Sequence, residues 1–388
     1  MSFFSSWSAW RGFKKLPVDW RQIVFYSETG QDWHHFSDLI SQLNTQQRRT
    51  VYVSSDPADP GLQYQNPLNK SFCIEQGLFR TIFFQVLQVD LLVLTVMDLD
   101  NLDLKRSQHP VHYVYLFHSP GSTHMVDFAN SYDHYDSILC VGPHHKAEIR
   151  AREKQAGLEP KNLLEHGYQR LETLIKAARE HNQVFHPGEQ TVVLIAPTWG
   201  EGSIFNRVGE PLIRGLLDAG MKVIMRPHYH TARQAPELVA NLRQGFSANP
   251  DFEYIDQMGE SDSLYRSHLL ICDWSAMAIE YALSLEKPVL FIDLPKRVRN
   301  PGWEKLNIEP IEISIRHQVG QVLAVDDISL AAQIVNEMMT DTDHFRNYIR
   351  ELREQLIYNL GNSVAVGALA IAALADEYQG KGSGGKAE

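Results

Sequence analysis

Short apolar runs alternate with amphipathic segments along most of the chain. Runs such as QIVFYS, TVYVSS and HYVYLF are separated by segments in which apolar residues recur with helical spacing, such as DWHHFSDLISQL and PHHKAEIRAREKQAG. Strands that alternate with helices in this way predict a parallel β-sheet covered by helices on both faces. The first part of the chain therefore has the pattern of an α/β domain.

The same pattern starts again after a charged helical connector at 167–190. It predicts two Rossmann-like domains, with ligands at the carboxyl ends of the strands and in the cleft between the domains. We place an N-terminal domain at 1–180, a C-terminal domain at 181–376 and a flexible tail at 377–388. The last helical stretch, 328–376, can cross back to the first domain.

Composition agrees with an ordinary globular protein. The chain has 388 residues, of which 44% are hydrophobic and 21% charged, and this length favours two domains over one. Its net charge of −11 argues against a general nucleic-acid binder but leaves room for a local basic pocket for a phosphorylated small molecule. We therefore expect small-molecule partners and no nucleic acid.

Cysteine content and hydropathy indicate the cytoplasm. The three cysteines, Cys73, Cys140 and Cys272, lie within apolar runs, where reduced and packed thiols are expected. No run of about 18 apolar residues is present to span a bilayer, and the N-terminus lacks the pattern of a signal peptide.

Residues 1–17 combine aromatic and basic side chains at helical spacing. The set is Phe3, Phe4, Trp7, Trp10 and Phe13 with Arg11, Lys14 and Lys15. A helix of this composition suits an anionic membrane surface, where rings lie at headgroup level and cations attract the lipid. The alternative is a helix packed on its own protein. Peripheral attachment to the inner face of the cytoplasmic membrane is thus one of two expectations.

Four polar clusters follow predicted strands, and the first is HSPGSTH. His118 stands directly after the apolar run YVYLF. A neutral imidazole is the usual general base for a hydroxyl nucleophile, and a strand end facing a cleft is where such a base is expected. A purely structural histidine is the alternative.

The second and third clusters suit phosphate groups. In APTWGEGS, Thr198 lies among small residues that allow a backbone to approach a phosphate, although a plain strand-to-loop turn explains the segment equally well. In MRPHYHT, Arg226, His228 and His230 follow a strand and can bind a pyrophosphate or neutralise a leaving phosphate.

The fourth cluster opens a helix. CDWSAMAIE places Asp273, Ser275 and Ala276 at the helix start, where free N–H groups and the helix dipole favour anions. Asp273 or Ser275 can also simply cap the helix. Glu280, further along, is a candidate for ribose hydroxyls or a surface charge.

Neither a metal nor a cofactor is predicted. Of the spacings that mark metal sites, HxxxH, HExxH and CxxC are all missing from the sequence. Neither predicted domain contains a GxGxxG dinucleotide fingerprint, which argues against an ordinary dehydrogenase.

Taken together, the motifs resemble the CDP-glycerol glycerophosphotransferase family, the teichoic acid primases and polymerases. LFHSPGSTH is similar to a Trp-His-Gly-Thr-Pro motif, with Phe117 in place of the Trp, and LLEHGYQRLETL resembles a segment that ends in Gly-Tyr-Pro-Arg-Asn-Asp. IAPTWGEG, RPHYH and CDWSAMAIEYALSLEKPVLF are similar to three further family segments, in the same order from about residue 110 to 295.

The resemblance implies a GT-B fold and transfer of glycerol phosphate, or a related alditol phosphate, from a CDP-activated donor to a hydroxyl of a lipid-linked or glycan acceptor. The context would be cell-envelope, teichoic acid-like or capsule polymer synthesis. His118 would be the base, His228 would contact the donor phosphates with help from Arg226, Ser275 would hold the nucleotide phosphate and Asp273 would shape the turn.

Two other functions stay open at this point. One is a GT-B glycosyltransferase or epimerase-like enzyme that uses a nucleotide sugar, because fold alone does not separate donors. The other is a catalytically idle GT-B relative that serves as a scaffold in polymer assembly.

Overall fold

The structure is a computed structural model. It describes residues 3–102, 104–181, 185–256 and 262–382, with side chains from residue 6 onward. The side chains of Phe3 and Phe4 therefore lie outside the described residues, as does the end of the predicted tail.

The part of the chain through residue 181, called the first half, contains seven strands and five α-helices among its described residues. The strands are β1 (Ile23–Ser27), β2 (Thr50–Ser54), β3 (Asn69–Cys73), β4 (Leu91–Leu94), β5 (His112–Leu116), β6 (Ser137–Cys140) and β7 (Asn162–Glu165). The helices are α1 (Phe3–Lys14), α2 (Trp33–Thr45), α3 (Leu78–Gln85), α4 (Pro143–Ala156) and α5 (Gln169–His181).

The part from residue 185, called the second half, contains six strands and ten helices among its described residues. The strands are β8 (Val192–Ile195), β9 (Lys222–Met225), β10 (Phe252–Tyr254), β11 (Leu269–Cys272), β12 (Val289–Asp293) and β13 (Gly320–Ala324). The helices are α6 (Ile204–Arg207), α7 (Gly209–Asp218), α8 (Tyr229–Gln234), α9 (Pro236–Phe246), α10 (Asp262–Arg266), α11 (Met277–Leu285), α12 (Ile311–Ser314), α13 (Ala331–Met338), α14 (Thr342–Leu356) and α15 (Ser363–Glu377).

Each half is built on one parallel sheet. The strand orders are β3-β2-β1-β4-β5-β6-β7 and β10-β9-β8-β11-β12-β13, and every pairing is parallel. The order reverses between β1 and β4 in the first sheet and between β8 and β11 in the second. Ligands bind outside the carboxyl ends of strands at such reversals.

Burial explains why the central strands were predictable from the sequence. β1, β2, β5 and β11 are buried at every residue, since helices cover both faces, and such strands read as continuous apolar runs. The unpredicted strands β3, β7 and β13 are sheet edges whose residues are partly exposed. Their sequences, NKSFC, NLLE and GQVLA, therefore lack a distinct apolar run.

The C-terminal helices return to the first half. α15 packs against α2, and its Ala368 and Ile371 are buried in one cluster with β1. Beyond α15, the backbone N–H groups of Gly380 and Gly382 donate to the carboxylate of Asp90. Residues 363–382 therefore pack with the first sheet, whereas the domain boundary near residue 180 stays a prediction.

The described helices were also compared with the length and hydropathy that a bilayer requires. None of those within the described ranges is both long and apolar enough to cross a membrane.

The close contact between α15 and α2 gives a prediction about stability. A Cβ atom added at Gly367 would lie 2.5 Å from the ring of His166 and 2.9 Å from Leu39. Gly367→Ala should lower the free energy of unfolding by about 1–3 kcal/mol, because the helix must move away from its neighbours. Urea denaturation followed by circular dichroism measures the change.

Gly215→Ala is the matched control, since Gly215 is also inside a helix but has no atom within 4 Å of the added Cβ. It should raise the free energy of unfolding by up to about 1 kcal/mol through helix propensity. Equal effects of the two substitutions would contradict the packing of α15.

Candidate active site

A cleft of about 600 Å³ lies between the carboxyl ends of the two sheets. Six of the nine predicted site residues line it, namely His118, Thr198, His228, Ser275, Ala276 and Glu280. The other three, Arg226, His230 and Asp273, do not line the cleft and support its wall from behind. Residues from all four sequence clusters are thus brought to one place, although their roles stay predictions.

His118 follows β5 on the first-half side of the cleft. Its Nδ1 lies 3.4 Å from the hydroxyl of Tyr115, and its backbone oxygen accepts a hydrogen bond of 3.0 Å from Tyr168. Burial lowers the pKa of the imidazole below its ordinary value. The ring is therefore neutral at neutral pH and able to accept a proton.

The loop from His118 to His124 is fixed by α4. Glu148 accepts hydrogen bonds from the backbone N–H and the hydroxyl of Thr123, at 2.7 and 2.8 Å. The Nε2 atoms of His144 and His145 lie 2.9 and 2.7 Å from the carbonyl oxygens at 120–121, which requires protonated Nε2. The adjacent histidines thus hold the loop rather than a metal.

His228 caps helix α8 on the opposite wall. Its Nδ1 accepts the backbone N–H of His230 at 3.1 Å, so the proton of the neutral ring is on Nε2. Burial, with the nearby charges of His230 and Arg297, lowers the pKa of His228 to about 4. His228 is therefore an uncharged Nε2–H donor at neutral pH.

His230 and Arg226 lie behind His228. The ring of His230 is 4.8 Å from that of Trp199 and 5.4 Å from that of His228. Arg226 is buried, and its guanidinium is 3.3 Å from the hydroxyl of Ser263. In this conformation both residues pack against the cleft wall, so direct contact with a donor stays a proposal.

The start of α11 forms the floor of the cleft. Asp273 is buried, and its Oδ1 accepts the backbone N–H of Thr198 at 2.7 Å. The Ser275 hydroxyl accepts the backbone N–H of Met277 at 3.3 Å. Asp273 thus joins the ends of β8 and β11, and Ser275 satisfies one of the free N–H groups at the helix start.

Glu280 connects the two halves. Its Oε1 lies 2.5 Å from the hydroxyl of Tyr168, and both carboxylate oxygens lie 3.1–3.2 Å from Nε of Arg170. The sequence suggested a ribose contact or a surface charge for Glu280. In the structure the carboxylate forms a clamp between α11 and the start of α5, and the ribose contact stays a prediction.

Several cleft residues were not predicted. His34, His35, Arg297, Arg299 and Glu312 all line it. The histidines open the helix after β1 and the arginines follow β12, so the strand-end rule that found His118 would also have found them. Glu312 follows no strand end, and no sequence signal pointed to it.

The search for metal sites was limited to the residues that the structure describes. Among them, no group of three or more histidine, cysteine or carboxylate side chains is arranged to hold a metal ion.

Solved structures with the same arrangement of two domains cover nearly the whole chain. UDP-GlcNAc 2-epimerase from Methanocaldococcus jannaschii matches with a TM-score of 0.55 at 12% identity, covering 90% of this chain and 99% of that one. A glycosyltransferase from Rickettsia africae matches with 0.54 at 9% identity, covering 91% and 98%. The Anabaena protein HepE, solved with UDP and glucose, matches with 0.51 at 12% identity, covering 91% and 100%.

At these identities the likeness concerns the fold alone. It confirms the predicted fold class, GT-B with two parallel α/β domains. The comparison with curated proteins gave no match.

A family model provides the link to chemistry. The model of the CDP-glycerol:poly(glycerophosphate) glycerophosphotransferases matches residues 114–295. This range runs from β5 to the end of β12 and includes all nine predicted site residues. The family resemblance seen in the sequence is thereby confirmed: residues 114–295 match the model of the CDP-glycerol:poly(glycerophosphate) glycerophosphotransferases, a family of transferases.

Proposed function

We propose that the protein transfers glycerol phosphate, or a related alditol phosphate, from a CDP-activated donor to a hydroxyl of a lipid-linked or glycan acceptor. The observation that carries this proposal is the placement of His118 on one wall of the cleft and of His228 and the α11 start on the other. One wall then offers a base, and the other offers donors for phosphate oxygens. The product belongs to a cell-envelope, teichoic acid-like or capsule polymer.

The proposed reaction is a direct displacement at phosphorus. The acceptor oxygen attacks the phosphorus that bears the glycerol, while His118 takes the proton of the hydroxyl. The bond between this phosphorus and the bridging oxygen breaks, and CMP leaves with the electron pair. No covalent enzyme intermediate is needed, since positioning and charge stabilisation suffice for such a transfer.

Stabilisation of the donor phosphates is assigned to the second half. In this scheme the donors for phosphate oxygens are the Nε2–H of His228 and the hydroxyl of Ser275, supported by the positive end of the α11 dipole. Arg297 also lines the cleft, stacks 4.4 Å over the ring of Trp199 and has no ion pair among the described residues. It is thus available to neutralise charge on the departing CMP.

Attachment to an anionic membrane surface on the cytoplasmic side is part of the proposal. Helix α1 buries Phe13 in the core but leaves Trp7 42% exposed, and the neighbouring Leu78 at the start of α3 is 74% exposed. The ring of Trp7 contacts those of Trp10 and Phe79. One face of α1 packs on the protein, and the outward aromatic edge, beside basic residues, supports the proposed contact with anionic lipid.

The catalytic proposal predicts CMP release from CDP-glycerol that depends on His118. His118→Ala should lower kcat by about 10²- to 10⁴-fold, as expected for loss of a general base, with little change in the affinity for CDP. His228→Ala should lower both the rate and CDP affinity. His317→Ala, an exposed histidine outside the cleft, should be as active as the wild type.

Assays with CDP-alditols, UDP-sugars and CMP-sugars decide between donors. Turnover of a nucleotide sugar without turnover of CDP-glycerol would assign the cleft to a glycosyltransferase or epimerase. Nucleotide binding with no turnover of any donor would favour the idle scaffold.

The membrane proposal predicts that the protein floats with vesicles containing anionic phosphatidylglycerol. Trp7→Ala combined with Leu78→Ala should reduce the bound fraction about tenfold, since each exposed apolar side chain contributes through its buried area. Leu330→Ala, which removes another exposed leucine from the second half, is the control. Equal flotation of both variants and the wild type would refute attachment through α1 and α3.

A further inference from the structure

Glu312 lies at the cleft but outside the segment that matches the family. It belongs to α12 of the second half, beyond residue 295 where the family match ends. Its side chain lines the cleft beside the His118 loop and is only 6% exposed. A buried carboxyl group at a substrate cleft needs partners, because desolvation of the group is costly.

One carboxyl oxygen of Glu312 has a structural partner. Oε1 accepts the backbone N–H of Ser122 at 2.9 Å, and the hydroxyl of Ser122 in turn accepts the backbone N–H of Ile311 at 2.7 Å. A Cβ added at Gly121 would lie 2.7 Å from Oε1, so a larger residue there would displace the carboxyl group. These contacts join the His118 loop to the second half.

The contact with Ser122 accounts for only one of the two carboxyl oxygens of Glu312. Oε2 is buried and has no hydrogen-bond partner among the described residues. Burial raises the pKa of Glu312 to about 7, which fits a carboxyl group short of donors. Most buried polar atoms in native proteins have a partner, and at a cleft the missing donor is naturally a ligand group.

A second carboxyl group lines the same cleft. Asp127 accepts a hydrogen bond of 2.6 Å from the hydroxyl of Tyr132, and burial raises its pKa to about 6. The ring of Tyr132 in turn packs with other aromatic rings, its centroid lying 4.9 Å from that of Tyr115 and 5.2 Å from that of Phe117. All three rings line the cleft.

Two carboxyl groups with aromatic rings nearby suit a ligand that carries hydroxyl groups and disfavour a phosphate. Carboxylates accept hydrogen bonds from hydroxyls but repel phosphate oxygens, and aromatic faces pack against the C–H groups of a polyol. The groups assigned to phosphate, His228 and Arg297, belong to the second half. The cleft thus contains both groups that suit phosphate and groups that suit hydroxyls.

We infer that Glu312 and Asp127 form a subsite for the vicinal hydroxyls of a glycerol or related alditol group. The inference rests on the proposed function and deepens it, since it names the residues that select the alditol. The hydroxyls come either from the donor or from a glycerol-ended acceptor. A site built to bond a hydroxyl discriminates strongly against a ligand that lacks it.

Calorimetry with CDP-glycerol and CDP at pH 8 tests the donor as the source. The affinity ratio of CDP-glycerol to CDP should fall about tenfold in Glu312→Gln, because an amide bonds a hydroxyl less strongly than a carboxylate does. Affinity for CDP itself should not change, since the amide oxygen can still accept from Ser122. Asp127→Asn should act in the same direction, and Glu309→Gln, an exposed carboxyl in the same segment, should have no effect.

Steady-state kinetics with a glycerol-ended acceptor test the other source. If the acceptor supplies the hydroxyls, Glu312→Gln should raise the KM of the acceptor about tenfold. The affinity ratio of CDP-glycerol to CDP should then stay unchanged. The inference alone is overturned if Glu312→Gln and Asp127→Asn change neither the affinity ratio of CDP-glycerol to CDP nor the KM of the acceptor, while the wild type turns over CDP-glycerol. Failure of the wild type to turn over CDP-glycerol would overturn the proposed function together with it.

Discussion

The clamp between α11 and the start of α5 is the contact on which the candidate active site depends. Glu280 holds Tyr168 and Arg170 across the boundary between the halves, and the same Tyr168 hydroxyl reaches the backbone of His118. One half-buried carboxylate therefore joins α11 to the start of α5 and, through Tyr168, to the end of β5. Partial burial of this carboxylate is tolerated because it has both a charged and a hydroxyl partner.

Two buried carboxyl groups show how nearby hydrogen-bond donors set the pKa of a carboxyl group. Burial alone would raise the pKa of Glu148, but His124 and Thr123 outweigh it and the pKa is lowered. Glu312 is equally buried but has fewer donors, and its pKa rises to about 7. Each of the two carboxyl groups keeps one oxygen without a hydrogen-bond partner among the described residues. Only Glu312 lines the cleft, where a ligand can supply the missing donor.

Sequence patterns predicted the elements that are buried on both faces and the side chains that follow them. His118, Thr198 and Ser275 were found because parallel strands bring their carboxyl ends to one edge. Edge strands such as β3 were missed because half-exposed strands lack an apolar run. Glu312 was beyond reach for another reason: it meets Ser122 across 190 positions of sequence, and only the folded chain places it at the cleft.

The choice of donor depends on this kind of long-range contact rather than on the fold. Structures at 9–12% identity include an epimerase and a glycosyltransferase with the same two domains, so the architecture is compatible with several chemistries. This cleft combines groups that suit phosphate with carboxyl groups that suit hydroxyls. Neutral His228, Arg297 and the α11 start lie on one wall, whereas Asp127 lies among aromatic rings and Glu312 beside the His118 loop. A CDP-alditol has phosphates for the first set of groups and alditol hydroxyls for the carboxyl groups, so it satisfies both sets at once.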